Sequence, residues 1–468
     1  RAFQSRPGAT GLSKVGWTTE ETGLRYAEMG FTTVVEPAMA PSSALHSHLE
    51  LADIPIIDKA TLVVLGNDDF LMAMIRDGES ESAIADYVAW TVSASRALGV
   101  KCINAGGSAA FKENVRKFDF DDIVPDYGVS SRKIIKTLQG AVNGLGIPHP
   151  LHVHCNNLGV PGDSASSAEA TIGAADGLPM HLAHIQFYGY GTEGKRGFSS
   201  VGQRLADLVN RTPEVTVDIG QVMFGQTVTI SSDEMRQFAG RPQASPGKTI
   251  IFDHEANGGG VVPMEYKQKS FFNALQWAIG LELFLLIEDP SQVFFTTDHP
   301  NGAPFTSYPD IFALLMDRGV RQLWLDALPK SVVRMTSLPE ITREYTLREI
   351  ATMTRAAPAR LLGTSDRGHL GAGAVGDVAI YRPGHDKAEM FGRAAYVFKD
   401  GTLVVKDGTV VNRTKGRTLT VRPEADKAMA KRLDRYFDER FGLPSRWFEV
   451  PDFAIGQEDP FKVMPCRT

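Results

Sequence analysis

The sequence predicts an α/β chain built round a parallel TIM-type (β/α)8 barrel with a small β-sandwich portion attached. Three observations predict it. Short apolar runs alternate with amphipathic helical stretches along the first 330 residues, which is the rhythm of βαβ units. Several of those runs end on a polar residue followed by Gly, Asn or Pro, as barrel strands do at the face that carries chemistry. Beyond residue 330 the pattern turns first helical and then Gly-punctuated and strand-like.

Strands are expected at 31–39, 61–67, 100–107, 150–157, 180–189, 214–220 and 293–300. Between them, 82–98 keeps Ile84, Tyr87, Val88, Thr91, Val92, Ser95 and Leu98 at helical spacing, with Gly99 as the residue after the helix. Ile134, Ile135, Leu138, Val142 and Leu145 do the same over 131–145, after Ser130 as N-cap. Seven strands are one short of a barrel, and the missing first strand is expected upstream of Arg1. The organisation expected is a barrel over 1–330, a helical closing segment over 331–375, part of a β-sandwich over 376–425, and a tail over 426–468 packed on the body. Lys-Asp-Gly occurs twice, at 399–401 and 406–408, as a turn signal.

Bulk properties narrow the function. A net charge of -6 over 468 residues gives no reason to expect nucleic acid or an anionic membrane as partner. The most apolar window, 271–287, contains Asn273, Gln276 and Glu282, so a packed helix is expected there rather than a membrane span. Cys102, Cys155 and Cys466 are scattered and form no CxxC pair, which points to a reduced, cytoplasmic chain.

Ligand-capable residues at strand ends give the chemistry. Lys101 in "GVKCINAGG", His154 in "HVHCNNLG", His184 in "HLAHIQF" and Asp298 in "FTTDHPNG" each lie on an apolar strand that gives way to a loop. Singly, each reads more readily as a hydrogen-bonded core residue. Together, on barrel positions in chain order, they read as a metal site. Imidazole and carboxylate suit zinc-like ions. A buried lysine beside metal ions is repelled as an ammonium, but as a CO₂ adduct it becomes an anionic bridge. Two metals so held activate water and polarise a carbonyl, and Asp298 would bind one metal and move the proton to the leaving group.

The order Lys, His, His, Asp and the closing stretch "RAAPARLLGTSDRGHLGAGAVGDVAIY" resemble the amidohydrolase superfamily. More narrowly, "HVHCNNLGVPG", "HLAHIQFYGYG" and "TTDHPNGAPF" resemble the A subunits of formylmethanofuran dehydrogenases and of bacterial formyltransferase/hydrolase complexes. The likeness runs over nearly the whole chain. It implies hydrolysis, or the reverse condensation, of the N-formyl amide of formylmethanofuran or a methanofuran analogue, giving formate and a free amine. It further implies two divalent metals, zinc by ligand type, bridged by N6-carboxylated Lys101, a methanofuran-type carrier as substrate, and other subunits of such a complex as partners. By the family pattern the ligands are Lys101, His154, His184 and Asp298.

Neighbouring residues are read more plainly. His152 is expected deeper in the barrel, supporting or packing, and His181 to face elsewhere. His46 and His48, in "LHSHLE", mimic the superfamily's His-x-His pair but follow the wrong strand and are expected at the surface, the true pair lying upstream of Arg1. Lys195 and Arg196 could steer a carboxylate-bearing substrate tail, and His299 could touch substrate. Cys102 and Cys155 are packing residues. Two other readings remain: a cyclic-amide hydrolase of the hydantoinase kind, which lacks "CNNLG" and "TTDHPNG", and a metal-free structural subunit.

Overall fold

A computed structural model describes residues 17–115, 117–194, 196–231 and 260–467. Seven parallel strands lie side by side in chain order. They are β1 (Thr33–Met39), β2 (Asp58–Val64), β3 (Gly99–Ile103), β4 (Leu151–His154), β5 (Met180–Leu182), β6 (Val215–Asp218) and β7 (Val293–Phe294). All but one residue of β3 and every residue of β4 are buried, as expected of parallel strands covered by helices. The ladder among the described residues is open between β1 and β7, and the strand expected upstream of Arg1 lies outside them. This is the α/β TIM-type barrel architecture.

The helices follow from their caps and apolar faces. Helix α1 (Ala44–Ala52) carries both His46 and His48, and of the two only His46 is exposed. His48 is buried, its Nε2 donating to the Ser95 carbonyl at 2.9 Å and its ring edge-on to Phe461, so the surface reading fails for it. Helix α2 (Glu81–Ala94) starts at Ser80, whose hydroxyl accepts the Ala83 amide. It ends earlier than its periodicity predicts, because Gly99 is already the first residue of β3. Helix α3 (Ser131–Gly144) is capped by Ser130 as expected. Helix α4 (Phe271–Leu286) is buried nearly all round. Its Glu282 is satisfied by Ser200, Thr336 and Ser337, so its polar residues mark a packed helix. No helix among the described residues is long and apolar enough to cross a membrane.

A separate antiparallel sheet is built from β8 (Val378–Ile380), β9 (Tyr396–Lys399), β10 (Thr402–Lys406) and β11 (Thr409–Val410). Both Lys-Asp-Gly signals form its two-residue turns. Asp400 and Gly401 have φ of 50° and 78°, and Asp407 and Gly408 have 52° and 70°, the pattern of a type I′ hairpin. The next strand, β12 (Thr418–Val421), leaves this sheet and pairs with the start of β2. The span 376–425 is thus divided between two sheets.

A buried seam of charge joins them. Lys399 reaches Asp58 at 3.1 Å, Asp377 at 3.0 Å and Asp400 at 2.9 Å, and Arg367 pairs with Asp58 and Asp377.

After helix α5 (Lys427–Phe441) the tail adds β13 (Phe461–Met464), parallel to β12, to the main sheet. Beyond it, the Arg467 amide donates to the Gly146 carbonyl at 2.6 Å, and its guanidinium donates to the Pro148 carbonyl. A side chain at Gly146 would run into the Arg467 carbonyl. The tail therefore grips the loop that leads into β4.

Candidate metal centre

Register places the side chains. Lys101 on β3 pairs with His152 on β4, His152 with His181 on β5, and His181 with Thr216 on β6. Register partners in a parallel sheet project to the same face. Lys101, His152, His181 and Thr216 therefore form one row, and His154 and Asp218 stand two residues above it towards the strand ends.

The upper tier holds the expected ligands. His184 Nε2 lies 3.1 Å from His154 Nδ1, with the rings edge to face. His154 Nε2 and His184 Nδ1 are buried without a partner. Burial pushes the basicity of both rings down, and the nearby Lys101 charge adds to the effect, so both are neutral imidazoles. Lys101 is buried, which lowers its pKa, while Asp298, Asp218 and Glu36 pull it back up. Asp298 follows the end of β7, and burial raises its carboxyl pKa against the opposing pull of His184 and Lys101. The four residues thus act on one another at one end of the barrel.

Only Val293–Phe294 of the expected strand 293–300 joins the ladder. The chain then turns, with Asp298 at φ 47° and the Asn301 amide donating to its carbonyl at 2.6 Å. His184 sits just past β5 at φ 36°, also left-handed. Non-glycine residues held there carry strain of about 1–3 kcal/mol each, and such strain gathers at functional sites.

The lower tier differs from its sequence reading. His181 does not face elsewhere: its ring lies 4.6 Å from that of His152. The strand is only three residues long and His184 leaves it through a left-handed turn, so strand spacing does not carry from His181 to His184. His181 Nε2 lies 3.2 Å from Asp218 Oδ2, and His152 Nε2 lies 3.8 Å from the same oxygen. Ligand atoms of His152, His181 and Asp218 all fall within 4.8 Å of one another. Both nitrogens of His152 lack a hydrogen-bond partner.

Asp218 and Glu36 escape the sequence reading. Both lie on apolar strands, in "VTVDIG" and "VVEPAM"; Asp218 closes β6 and meets the same strand-end filter that selects Lys101, whereas Glu36 lies inside β1 and does not.

Other candidates are peripheral. The ring of His299 packs 5.9 Å from Trp17 and 5.1 Å from Phe305, and accepts the Phe305 amide through Nδ1. Arg196 lies over the Phe271 ring, and Lys195 lies outside the described residues. Cys102 and Cys155 are free and buried in the core.

Comparison with known proteins gives one consistent picture. The amidohydrolase family model matches residues 12–412. The chain is 50% identical to the A component of the formyltransferase/hydrolase complex Fhc of Methylorubrum extorquens, over 99% of this chain and 86% of the relative. It is 36% identical to protein FwdA of Methanocaldococcus jannaschii, over 91% of this chain and 78% of that protein. The crystal structure of the Methylorubrum extorquens FhcABCD complex with methylofuran matches with a TM-score of 0.93 at 50% identity, covering 99% of this chain and 86% of that one. These matches lead to one conclusion: the chain is a hydrolase belonging to the amidohydrolase family.

Proposed function

We propose that this chain hydrolyses the N-formyl amide of a methanofuran-type carrier, releasing formate and the free amine, as a cytoplasmic member of a formyltransferase/hydrolase complex. The observation that carries the reading is the pair of buried, unpartnered imidazole nitrogens, His154 Nε2 and His184 Nδ1, beside Lys101 and Asp298. Leaving such atoms unsatisfied costs about 1–3 kcal/mol each, and metal coordination would satisfy them. The relationship to the Methylorubrum extorquens protein, whose complex was solved with methylofuran, supports the substrate class.

The donor set fits two divalent ions, zinc by ligand type, held by Lys101, His154, His184 and Asp298. Bound there, such ions would supply Lewis-acid polarisation of the formyl carbonyl and a more acidic water. The residues supply the rest. Lys101 is buried, which favours the neutral amine; only that form adds CO₂ to give the anionic carbamate. Asp298 sits between opposing influences, burial against the charges of His184 and Lys101. Its carboxylate takes a proton from the attacking water and passes it to the nitrogen as the C–N bond breaks. Lys101, His154 and His184 are buried, which strengthens each charge interaction among them.

The test is the metal content of the complex by elemental mass spectrometry, paired with formyl hydrolysis by Lys101→Ala. About two metals per wild-type chain, lost together with turnover in Lys101→Ala, are expected. Full activity in Lys101→Ala would sink the carbamate bridge, and a metal-free active complex would sink the reading.

A further inference from the structure

We infer that Asp218 is the positioning residue of this site: one carboxylate that braces the strained backbones of two proposed ligands, His184 and Asp298. The inference rests on the metal reading above. Asp218 Oδ1 accepts the His184 backbone amide at 2.8 Å and the Thr296 hydroxyl at 2.7 Å. The Thr296 oxygen in turn accepts the Asp298 amide at 3.3 Å and the Gly220 amide at 3.0 Å. His184 and Asp298 are two of the few non-glycine residues with left-handed backbones, and both are tied, directly or through one hydroxyl, to the same oxygen. Strain of that kind persists only where the surroundings over-determine it, and this bond set is what over-determines it here.

The second oxygen anchors the brace. Oδ2 accepts from His181 Nε2 at 3.2 Å, and His181 Nδ1 lies 2.8 Å from the Thr216 hydroxyl, which fixes the ring and the tautomer. The carboxylate thus gathers β5, β6 and the segment after β7. It accepts the full set from a backbone amide, a hydroxyl and a ring N–H, the arrangement by which outer groups orient metal ligands. The same geometry argues against a third metal on His152, His181 and Asp218. Three of the carboxylate's roughly four acceptor positions are already filled.

The experiment compares the wild-type complex with Asp218→Asn, Thr296→Val and Lys101→Ala. It follows metals per chain, the rate of metal loss to a chelator, the thermal midpoint, and the KM-against-kcat split. Asp218→Asn is expected to speed metal loss by roughly 10–100-fold and to lower kcat far more than it changes KM. Thr296→Val cuts only the arm to Asp298, so it is expected to lower kcat while leaving metal loss closer to wild type; should Asp218→Asn not fold, this variant carries the test alone. The brace is overturned if wild type holds two metals and both variants match it in metal loss and kcat. It is also overturned if wild type holds a third metal that Asp218→Asn lacks, which would make the lower tier a metal site. A metal-free wild-type complex overturns the functional reading and the brace with it, whereas loss of metal in Lys101→Ala beside a silent Asp218→Asn overturns the brace alone.

Discussion

Two buried polar clusters lie at opposite ends of β2 and its neighbours, and they are built on opposite rules. The seam of Asp58, Arg367, Asp377 and Lys399 joins the barrel to the small sheet, and each charge meets one of opposite sign. Those partners hold the Asp58 carboxyl below the usual range in spite of burial and raise the pKa of Lys399. The candidate metal centre instead holds imidazoles with unpartnered nitrogens beside a lysine deprived of solvent. A buried polar group that is paired is adhesive. One that is left unpaired is kept at a cost, and that cost marks the place where a ligand completes it.

Substitutions in the two clusters should therefore fail in different ways. The largest contrast is expected from Lys101→Ala, which should drop formyl hydrolysis to background and empty the metal site while the thermal midpoint stays near wild type; melting curves beside metal analysis check it. Lys399→Met should do the reverse. It leaves Asp58 and Asp377 short of a cation, a loss of about 3–5 kcal/mol for a buried pair, readable in the urea midpoint with metals per folded chain unchanged.

A smaller effect concerns pH. Burial lowers the His48 pKa from 6.5 to about 4 and that of His149 to about 3. Folded, both stay neutral, whereas the unfolded chain takes up their protons below about pH 6.5. Stability from these two is thus complete above pH 6.5 and declines as pH falls towards about 4 for His48 and about 3 for His149. His48→Leu should flatten part of that slope, and melting temperatures at several pH values would show it. The smallest effect is expected of His46→Ala, on the exposed side of α1, which should stay within about 0.5 kcal/mol of wild type and keep its metals.

The same contrast explains what can be read from sequence. Lys101, His154, His184 and Asp298 are legible because a polar residue closing an apolar strand is a local signal. The turns at Asp400-Gly401 and Asp407-Gly408 are legible because left-handed dipeptides favour those residue types. The seam is not legible. Asp58 meets Arg367 and Lys399 only through long-range packing, and no local pattern announces such a pairing. Nor is β13, whose place beside β12 is set by contacts across the whole chain. Strand spacing puts His181 on the wrong face because β5 is too short for that spacing to carry to His184. Helical spacing puts His48 outside because it says that His46 and His48 point apart but not which of them points inward.

The grip of the tail on the loop before β4 has a consequence for how the enzyme matures. The strand bearing His152 and His154 has its entry loop fastened by Arg467, through the Gly146 and Pro148 carbonyls. During synthesis that fastening cannot exist until residue 467 has left the ribosome, long after the barrel strands have emerged. The entry to β4 is therefore fastened only late in the life of the chain, and a nascent or clipped form lacking 460–467 is expected to hold His152 and His154 less firmly, which a lowered thermal midpoint would show.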